Sequence, residues 1–284
     1  MNDLIWINGE TIPFADARIG VEDRGFQFAD GVYEVIRLYR GRPFTLDEHL
    51  ARLEKSASGV DISMPLDRAV LAGEIRKLVT RTGVGEGMVY LQLTRGVSPR
   101  NHIYPAGLKP TLFFYVRPLP PTIPPGEGEG VKLLAVRDER WKRCWIKSIA
   151  LLPNILAKNE AAKAGADEAV FVDAGMVTEC SASNLFAIIA GKLVTHPVGS
   201  KVLPGITRAL ILDCATALKI DVDERAYLEE EATRAAELFI SSTTREISWV
   251  ARWNDRYIGQ ARCGQITAAL HHELCKRVRA GTAD

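Results

Sequence analysis

Two hydrophobic patterns alternate along the first part of the chain. β-Branched and aromatic residues crowd positions 32–39 and 88–94, which predicts two strands. Between them Leu46, Leu50 and Leu53 recur at helical spacing. They follow Thr45-Leu46-Asp47-Glu48, the pattern of a capping box. A second helix is predicted over about 66–81 and stops at Gly83, because a glycine accepts the left-handed conformation that ends a helix.

Further on, strands are predicted at 131–136 and 145–150, then a helix over 154–164 closed by Gly165. Segments 168–172 and 177–179 flank Asp173-Ala174-Gly175, which reads as a hairpin turn. Segments 185–189 and 193–195 flank Ala190-Gly191-Lys192 in the same way. Pro204-Gly205 leads into a helix at 206–218, the strand at 238–241 runs into Ser242-Thr243-Thr244, and a last helix fills 265–279.

One stretch breaks the pattern. From Pro118 to Gly130 the chain is so rich in proline and glycine that neither a helix nor a central strand can continue through it. It reads as a linker. The expectation is an α+β protein of two lobes: a smaller α/β N-terminal domain at 1–117, a linker at 118–130, and a larger strand-rich domain at 131–284.

Composition narrows the function classes. The chain has 284 residues, long enough to bury a sizeable core, and its formal charge is only +1. No basic field marks a nucleic-acid binder. No apolar run is long enough to span a bilayer, and the first residues lack the basic start and apolar stretch of a signal peptide. The five cysteines are odd in number and have no CxxC spacing, which argues against a disulfide framework or a thiolate zinc site and for a reducing cytoplasm. His271 and His272 are adjacent on a helix, so they point apart and read as surface residues; no metal site is expected.

Several residues carry candidate chemistry. Lys147 lies in an apolar, strand-like run, Cys144-Trp145-Ile146-Lys147-Ser148-Ile149; a dry surrounding disfavours the ammonium and frees the amine to attack an aldehyde. Taken alone, the ordinary reading is a lysine on the solvent face of a strand. Glu179 ends a strand and is followed by Ser181, Ser183 and Asn184. A carboxylate there suits a protonated ring nitrogen, or else simply meets water. Gly205-Ile206-Thr207 opens a helix whose first N–H groups suit an anion, Ser242-Thr243-Thr244 offers hydroxyls, and Arg52 offers a fork of donors. Arg95-Gly96-Val97-Ser98-Pro99-Arg100-Asn101-His102 places two arginines and a histidine on one loop, suited to a substrate carboxylate. The glycine-rich stretches lack the strand–turn–helix context of a dinucleotide or P-loop motif.

The order of these stretches is more specific than any of them. Residues 22–34, 95–102, 143–148, 178–184, 203–208 and 241–247 together resemble the class IV aminotransferases, the fold type IV enzymes that use pyridoxal-5′-phosphate (PLP), over nearly the whole chain. The subfamily likeness, carried by Ser98-Pro99-Arg100-Asn101-His102, is to the D-amino acid transaminases. The resemblance implies that 131–284 is the PLP-binding domain, that Lys147 is the Schiff-base lysine and proton shuttle, and that Glu179 pairs with the pyridine nitrogen. It further implies that Arg52, Ile206, Thr207 and Thr243 hold the phosphate, Ile206 through its backbone, and that Leu203 packs on the ring. Tyr33, Arg100 and His102 would trap the substrate carboxylate, with residues from two subunits of a homodimer.

The activity this implies is ping-pong transfer of an amino group between a D-amino acid, such as D-alanine, and a 2-oxo acid, such as 2-oxoglutarate. Reactions of the same fold remain alternatives: branched-chain L-amino acid aminotransferase, (R)-amine transaminase and aminodeoxychorismate lyase. A PLP-binding protein without catalysis is a further alternative, although mere binding needs no carboxylate trap. Ala182 departs from the pattern, standing where D-amino acid transaminases often carry serine.

Overall fold

A computed structural model describes residues 3–282. The chain divides into two compact units. The first runs to Pro121 and takes in Ile146–Ala150 and the C-terminal end from Gly281; the second comprises Thr122–Trp145 and Leu151–Ala280. The five-residue segment around Lys147 therefore groups with the first unit, not with the 131–284 domain to which the sequence reading gave it.

The first unit is built on a six-stranded antiparallel sheet. Its elements are β1 (Leu4–Ile7), β2 (Glu10–Pro13), α1 (Arg24–Phe28), β3 (Gly31–Tyr39), β4 (Arg42–Pro43), α2 (Leu46–Ser58), α3 (Arg68–Thr82), β5 (Gly87–Thr94) and β6 (Thr111–Pro118). The strand order is β2-β1-β6-β5-β3-β4. Side chains alternate across a strand, so β3 has two unlike faces. Val32, Glu34, Ile36 and Leu38 are fully buried, and α2 packs on this strand with Leu50 and Leu53. The opposite face carries an aromatic row in which Tyr33 stacks on Tyr90 at 5.8 Å and Tyr90 on Tyr115 at 5.3 Å.

The capping box at Thr45 does not form. Thr45 lies in the left-handed region at φ +50°, and its hydroxyl donates to the Phe44 carbonyl instead of accepting from the helix. An N-cap threonine needs extended backbone to face the first turn. Asp47 and Glu48 still place negative charge in that turn, where the helix dipole favours it.

The second unit comprises β7 (Val131–Arg137), α4 (Leu152–Lys163), β8 (Glu168–Asp173), β9 (Met176–Cys180), β10 (Asn184–Ile189), β11 (Lys192–Thr195), α5 (Ile206–Ala217), β12 (Val222–Glu224), β13 (Tyr227–Leu228), α6 (Glu229–Thr233), β14 (Glu237–Ser242), β15 (Glu246–Trp253), β16 (Arg256–Tyr257) and α7 (Gln265–Gly281, whose last residue belongs to the first unit). Nine of the strands form the path β12-β11-β10-β14-β15-β7-β8-β9-β13, and β16 pairs with β15. Both hairpin turns are two residues long rather than three. Ala174-Gly175 and Ala190-Gly191 all have positive φ, the backbone twist that suits a tight hairpin, while Asp173 and Lys192 pair within the strands. Phe186 of β10 stacks on Phe239 of β14 at 4.7 Å, and Ile211 of α5 with Leu270 and Leu274 of α7 completes that core.

Candidate active site

The run around Lys147 is not a strand. It makes one isolated bridge, Val32 to Ser148, and the Ser148 N–H donates back to the Ile146 carbonyl at 2.8 Å. That bond closes a tight three-residue turn with Lys147 at its centre, which is why alternating apolar residues failed to extend. The turn is anchored on every side within the first unit. The Tyr33 N–H donates to the Lys147 carbonyl at 2.9 Å, the Ile149 N–H donates to the Gly31 carbonyl at 3.1 Å, and the Lys147 N–H donates to the Ser56 hydroxyl at 3.1 Å. Lys147 is half-buried rather than sealed in a dry pocket, and its Nζ lies 4.3 Å from the centroid of the Tyr33 ring.

Arg52 lies on the buried side of β3. Its Nε donates to Glu34 Oε1 at 2.7 Å and its Nη2 to Glu34 Oε2 at 2.8 Å. His49 Nδ1 meets the same Oε2 at 2.7 Å. Burial works to raise the Glu34 carboxyl, but the Arg52 guanidinium and His49 outweigh it and hold the carboxyl at about 2. Burial pushes the His49 imidazole down; the nearby Arg52 and Lys147 charges act the same way against Glu34. Arg52 is thus aimed by a fully buried carboxylate that the sequence reading gave no role, although it falls within the matched stretch 22–34.

The loop of Arg95, Arg100 and His102 separates into structural and exposed parts. Arg95 is buried; its Nε and Nη2 grip Asp30 at 2.7 and 3.0 Å and its Nη groups donate to the Val60 and Asp61 carbonyls, so it locks the loop instead of offering charge to a substrate. Gly96 holds φ +101°, and a Cβ there would lie 2.0 Å from the Lys109 carbonyl oxygen. Arg100 and His102 are exposed and both pack on Phe28, the first over its face at 4.4 Å and the second at 5.5 Å between centroids. Among the described residues no hydrogen bond or ring contact joins either of them to Tyr33.

In the second unit, Glu179 is a buried carboxylate at the next-to-last position of β9. Arg140 Nη1 donates to its Oε1, while the Asn184 amide and the Leu203 N–H each donate to Oε2 at 3.1 Å. Arg140 is itself held by Asp138, at 2.9 Å through Nε and 2.8 Å through Nη2, and lies over the Phe171 ring. Burial pushes the Glu179 carboxyl up to about 7 against the pull of Arg140 and the Leu203 N–H. Asp138 and Arg140 are further residues missed in the sequence, because Thr178 and Glu179, which they meet, lie some forty positions away.

The same cluster reaches the start of α5. Asn184 Nδ2 also donates to the Leu203 carbonyl at 3.0 Å, and Asn184 Oδ1 would be 2.1 Å from a Cβ on Gly205. Gly205 is the N-cap of α5 and gives it no side-chain cap, with Ile206 and Thr207 as the first helical residues. The Ser241 hydroxyl, opposite Asn184 in the β10–β14 pair, is buried and has no hydrogen-bond partner among the described residues. Thr243 lies half-buried in the turn between β14 and β15, where the Arg245 N–H donates to the Ser242 hydroxyl. Glu168 holds the neighbouring loop by accepting from the Ala182 N–H at 2.8 Å and the Ser183 hydroxyl at 3.0 Å; Ala182 itself is exposed.

The first unit presents a lysine amine on a tight turn, chemistry that suits an aldehyde. The second unit by itself holds a buried carboxylate whose proton affinity is raised to near neutrality, suited to a pyridine nitrogen, and a helix start without a side-chain cap, suited to a phosphate. The structure also corrects the reading of His271 as a surface residue: its side chain is only 12% exposed and packs against Glu246 and Cys275.

The sequence pattern of amino-transferase class IV matches residues 31–253. The chain belongs to this family. It is similar to the D-alanine aminotransferase of Bacillus licheniformis, 39% identical over 280 residues with 98% of each chain covered. It is also similar to that of Listeria innocua, 41% identical with 96% of each covered. Its fold matches the branched-chain amino acid aminotransferase of Escherichia coli with a TM-score of 0.90, at 26% identity over 100% of this chain and 97% of that one.

Proposed function

We propose that this enzyme transfers an amino group from a D-amino acid, such as D-alanine, to a 2-oxo acid, such as 2-oxoglutarate, in a ping-pong sequence with PLP as cofactor. The observation that carries this reading is the near full-length likeness to D-alanine aminotransferases, in a chain that keeps Arg100 and His102 on their loop.

When bound, PLP supplies an electron sink for the charge left at the substrate α-carbon. Lys147 Nζ would hold the cofactor through its aldehyde, and its amine is the group placed to move the substrate α-proton. Its turn fixes where that amine stands, and orientation of this kind lowers the barrier by removing a search. Glu179 would hold the ring nitrogen in its protonated form, and Arg140 fixes that carboxylate. Leu203 would pack on the ring. Arg52, the Ile206 N–H, Thr207 and Thr243 would hold the phosphate. Tyr33, Arg100 and His102 bind the substrate carboxylate, an arrangement that sets the D-configured hydrogen toward Lys147. The exposure of Arg100 and His102 in a single chain supports a homodimer in which one subunit completes the other's trap. No helix among the described residues is long and apolar enough to cross a membrane, and a cytoplasmic location is proposed with the rest.

The test is an absorption spectrum of the cofactor-loaded protein before and after D-alanine, with L-leucine in parallel. D-alanine alone should remove the visible band of the bound cofactor. The structural likeness to branched-chain enzymes makes L-leucine the informative rival: loss of the band with L-leucine alone would overturn the D-amino acid assignment.

A further inference from the structure

We propose that Glu246, His271 and Cys275 form a binding site for a first-row divalent cation, with zinc the best match. None of the three is assigned to the cofactor or the substrate, and the proposal stands apart from the transamination reading.

The site is assembled from two elements of the second unit. His271 and Cys275 lie four residues apart on α7, so they share one face of the helix. Glu246 opens β15 directly after the turn that carries Thr243. His271 Nε2 lies 3.4 Å from Glu246 Oε2 and 3.6 Å from Cys275 Sγ. The three ligand atoms all lie within 4.8 Å of one another. A tetrahedral zinc ion, with bonds of about 2.0–2.1 Å to nitrogen or oxygen and about 2.3 Å to sulfur, requires ligand atoms separated by about 3.3–3.6 Å. Both measured edges that meet at His271 fall at that spacing.

The donor set favours the same ion. A thiolate, an imidazole and a carboxylate suit zinc, whereas magnesium and calcium prefer oxygen alone. The Glu246 and His271 side chains are only 7% and 12% exposed, so little water competes for them. Three protein ligands leave one tetrahedral position for water. The bound ion would tie the middle of α7 to the start of β15.

The experiment uses full-length protein loaded with its cofactor, mixed with one equivalent of zinc chloride and desalted. About one zinc per chain should remain, and its X-ray absorption fine structure should show one sulfur at about 2.3 Å with nitrogen or oxygen at about 2.0–2.1 Å. Cys275→Ser should remove the sulfur shell and weaken zinc retention by at least the loss known for disturbed metal sites, about 100-fold. Cys263→Ser, at the other half-buried cysteine, should change neither. In unsubstituted protein, zinc should protect Cys275 from iodoacetamide, read by peptide mass spectrometry, which needs no variant to fold. Zinc that washes off, a metal shell without sulfur, alkylation of Cys275 at the same rate with and without zinc, or undiminished retention in Cys275→Ser would each overturn the site.

Discussion

The Lys147 carbonyl accepts the Tyr33 N–H at 2.9 Å, and the Lys147 Nζ stands 4.3 Å above the ring of the same tyrosine. One residue therefore fixes both the backbone and the amine of the lysine. The ring contact is half-exposed, so it is worth about 0.5–1 kcal/mol to the lysine in its ammonium form. Tyr33→Phe keeps the ring and removes the hydroxyl proposed to meet the substrate carboxylate; it should raise KM and leave kcat near its original value. Tyr33→Leu removes both and should also lower kcat. Steady-state kinetics on D-alanine separates the two effects.

Lys147→Ala should abolish turnover. Borohydride reduction of the loaded enzyme should fix the cofactor's mass on the peptide containing Lys147 and fix none in the variant. Turnover persisting in Lys147→Ala without an added amine would remove Lys147 from its role.

Glu34→Gln should destabilise the first unit. The substitution leaves the buried Arg52 with a neutral partner, and breaking a buried ion pair costs about 3–5 kcal/mol. The folded carboxyl is held at about 2, below its ordinary 4.5, so its stabilisation is complete above that ordinary value and drains as pH falls toward 2. Urea unfolding across this acid range should show a steeper loss for the unsubstituted protein than for Glu34→Gln. Parallel curves would remove Glu34 as the source.

Glu179 has the opposite sign. Its folded carboxyl is raised to about 7 from an ordinary 4.5, so the folded chain binds that proton more tightly than the unfolded one. Cofactor-free protein should accordingly lose stability as pH rises from about 4.5 to 7, with no further loss from this group above that. Glu179→Gln should flatten the dependence in guanidinium unfolding at the two ends of this window. The same variant should lower kcat by on the order of 100-fold or more, the size of a lost acid–base contribution.

Gly205→Ala should destabilise the start of α5. The backbone at φ −64° accepts alanine, but the new Cβ would lie 2.1 Å from Asn184 Oδ1, and Asn184 is pinned by its bonds to Glu179 and Leu203. Overpacking of this kind costs about 1–3 kcal/mol. Thermal unfolding should show the loss, and cofactor retention should weaken with it, since the displaced asparagine holds Glu179.

Part of the fold was legible because it is local. Pro204-Gly205 before the run from Ile206 reads as a helix start, and α5 begins there. Hairpins declare themselves by a glycine between two apolar runs, and Gly175 and Gly191 lie at the tips of two. Period alone misled at 145–150: the alternation of Ile146 and Ser148 suits a strand, yet no strand forms, because the Ser148 N–H turned back on Ile146. Thr45 misled likewise, since a capping pattern says nothing of the φ the preceding chain imposes.

The sequence by itself determined the α+β class and most of the helices and strands, because propensity, turn residues and motif order act over short spans. Tertiary structure alone decided what surrounds them. Glu34 lies eighteen residues from Arg52, Arg140 thirty-nine from Glu179, and Glu246 twenty-five from His271, and each pairing depends on which faces the sheets and helices bury together. Burial and partner charge, not residue type, then hold one glutamate at about 2 and another at about 7.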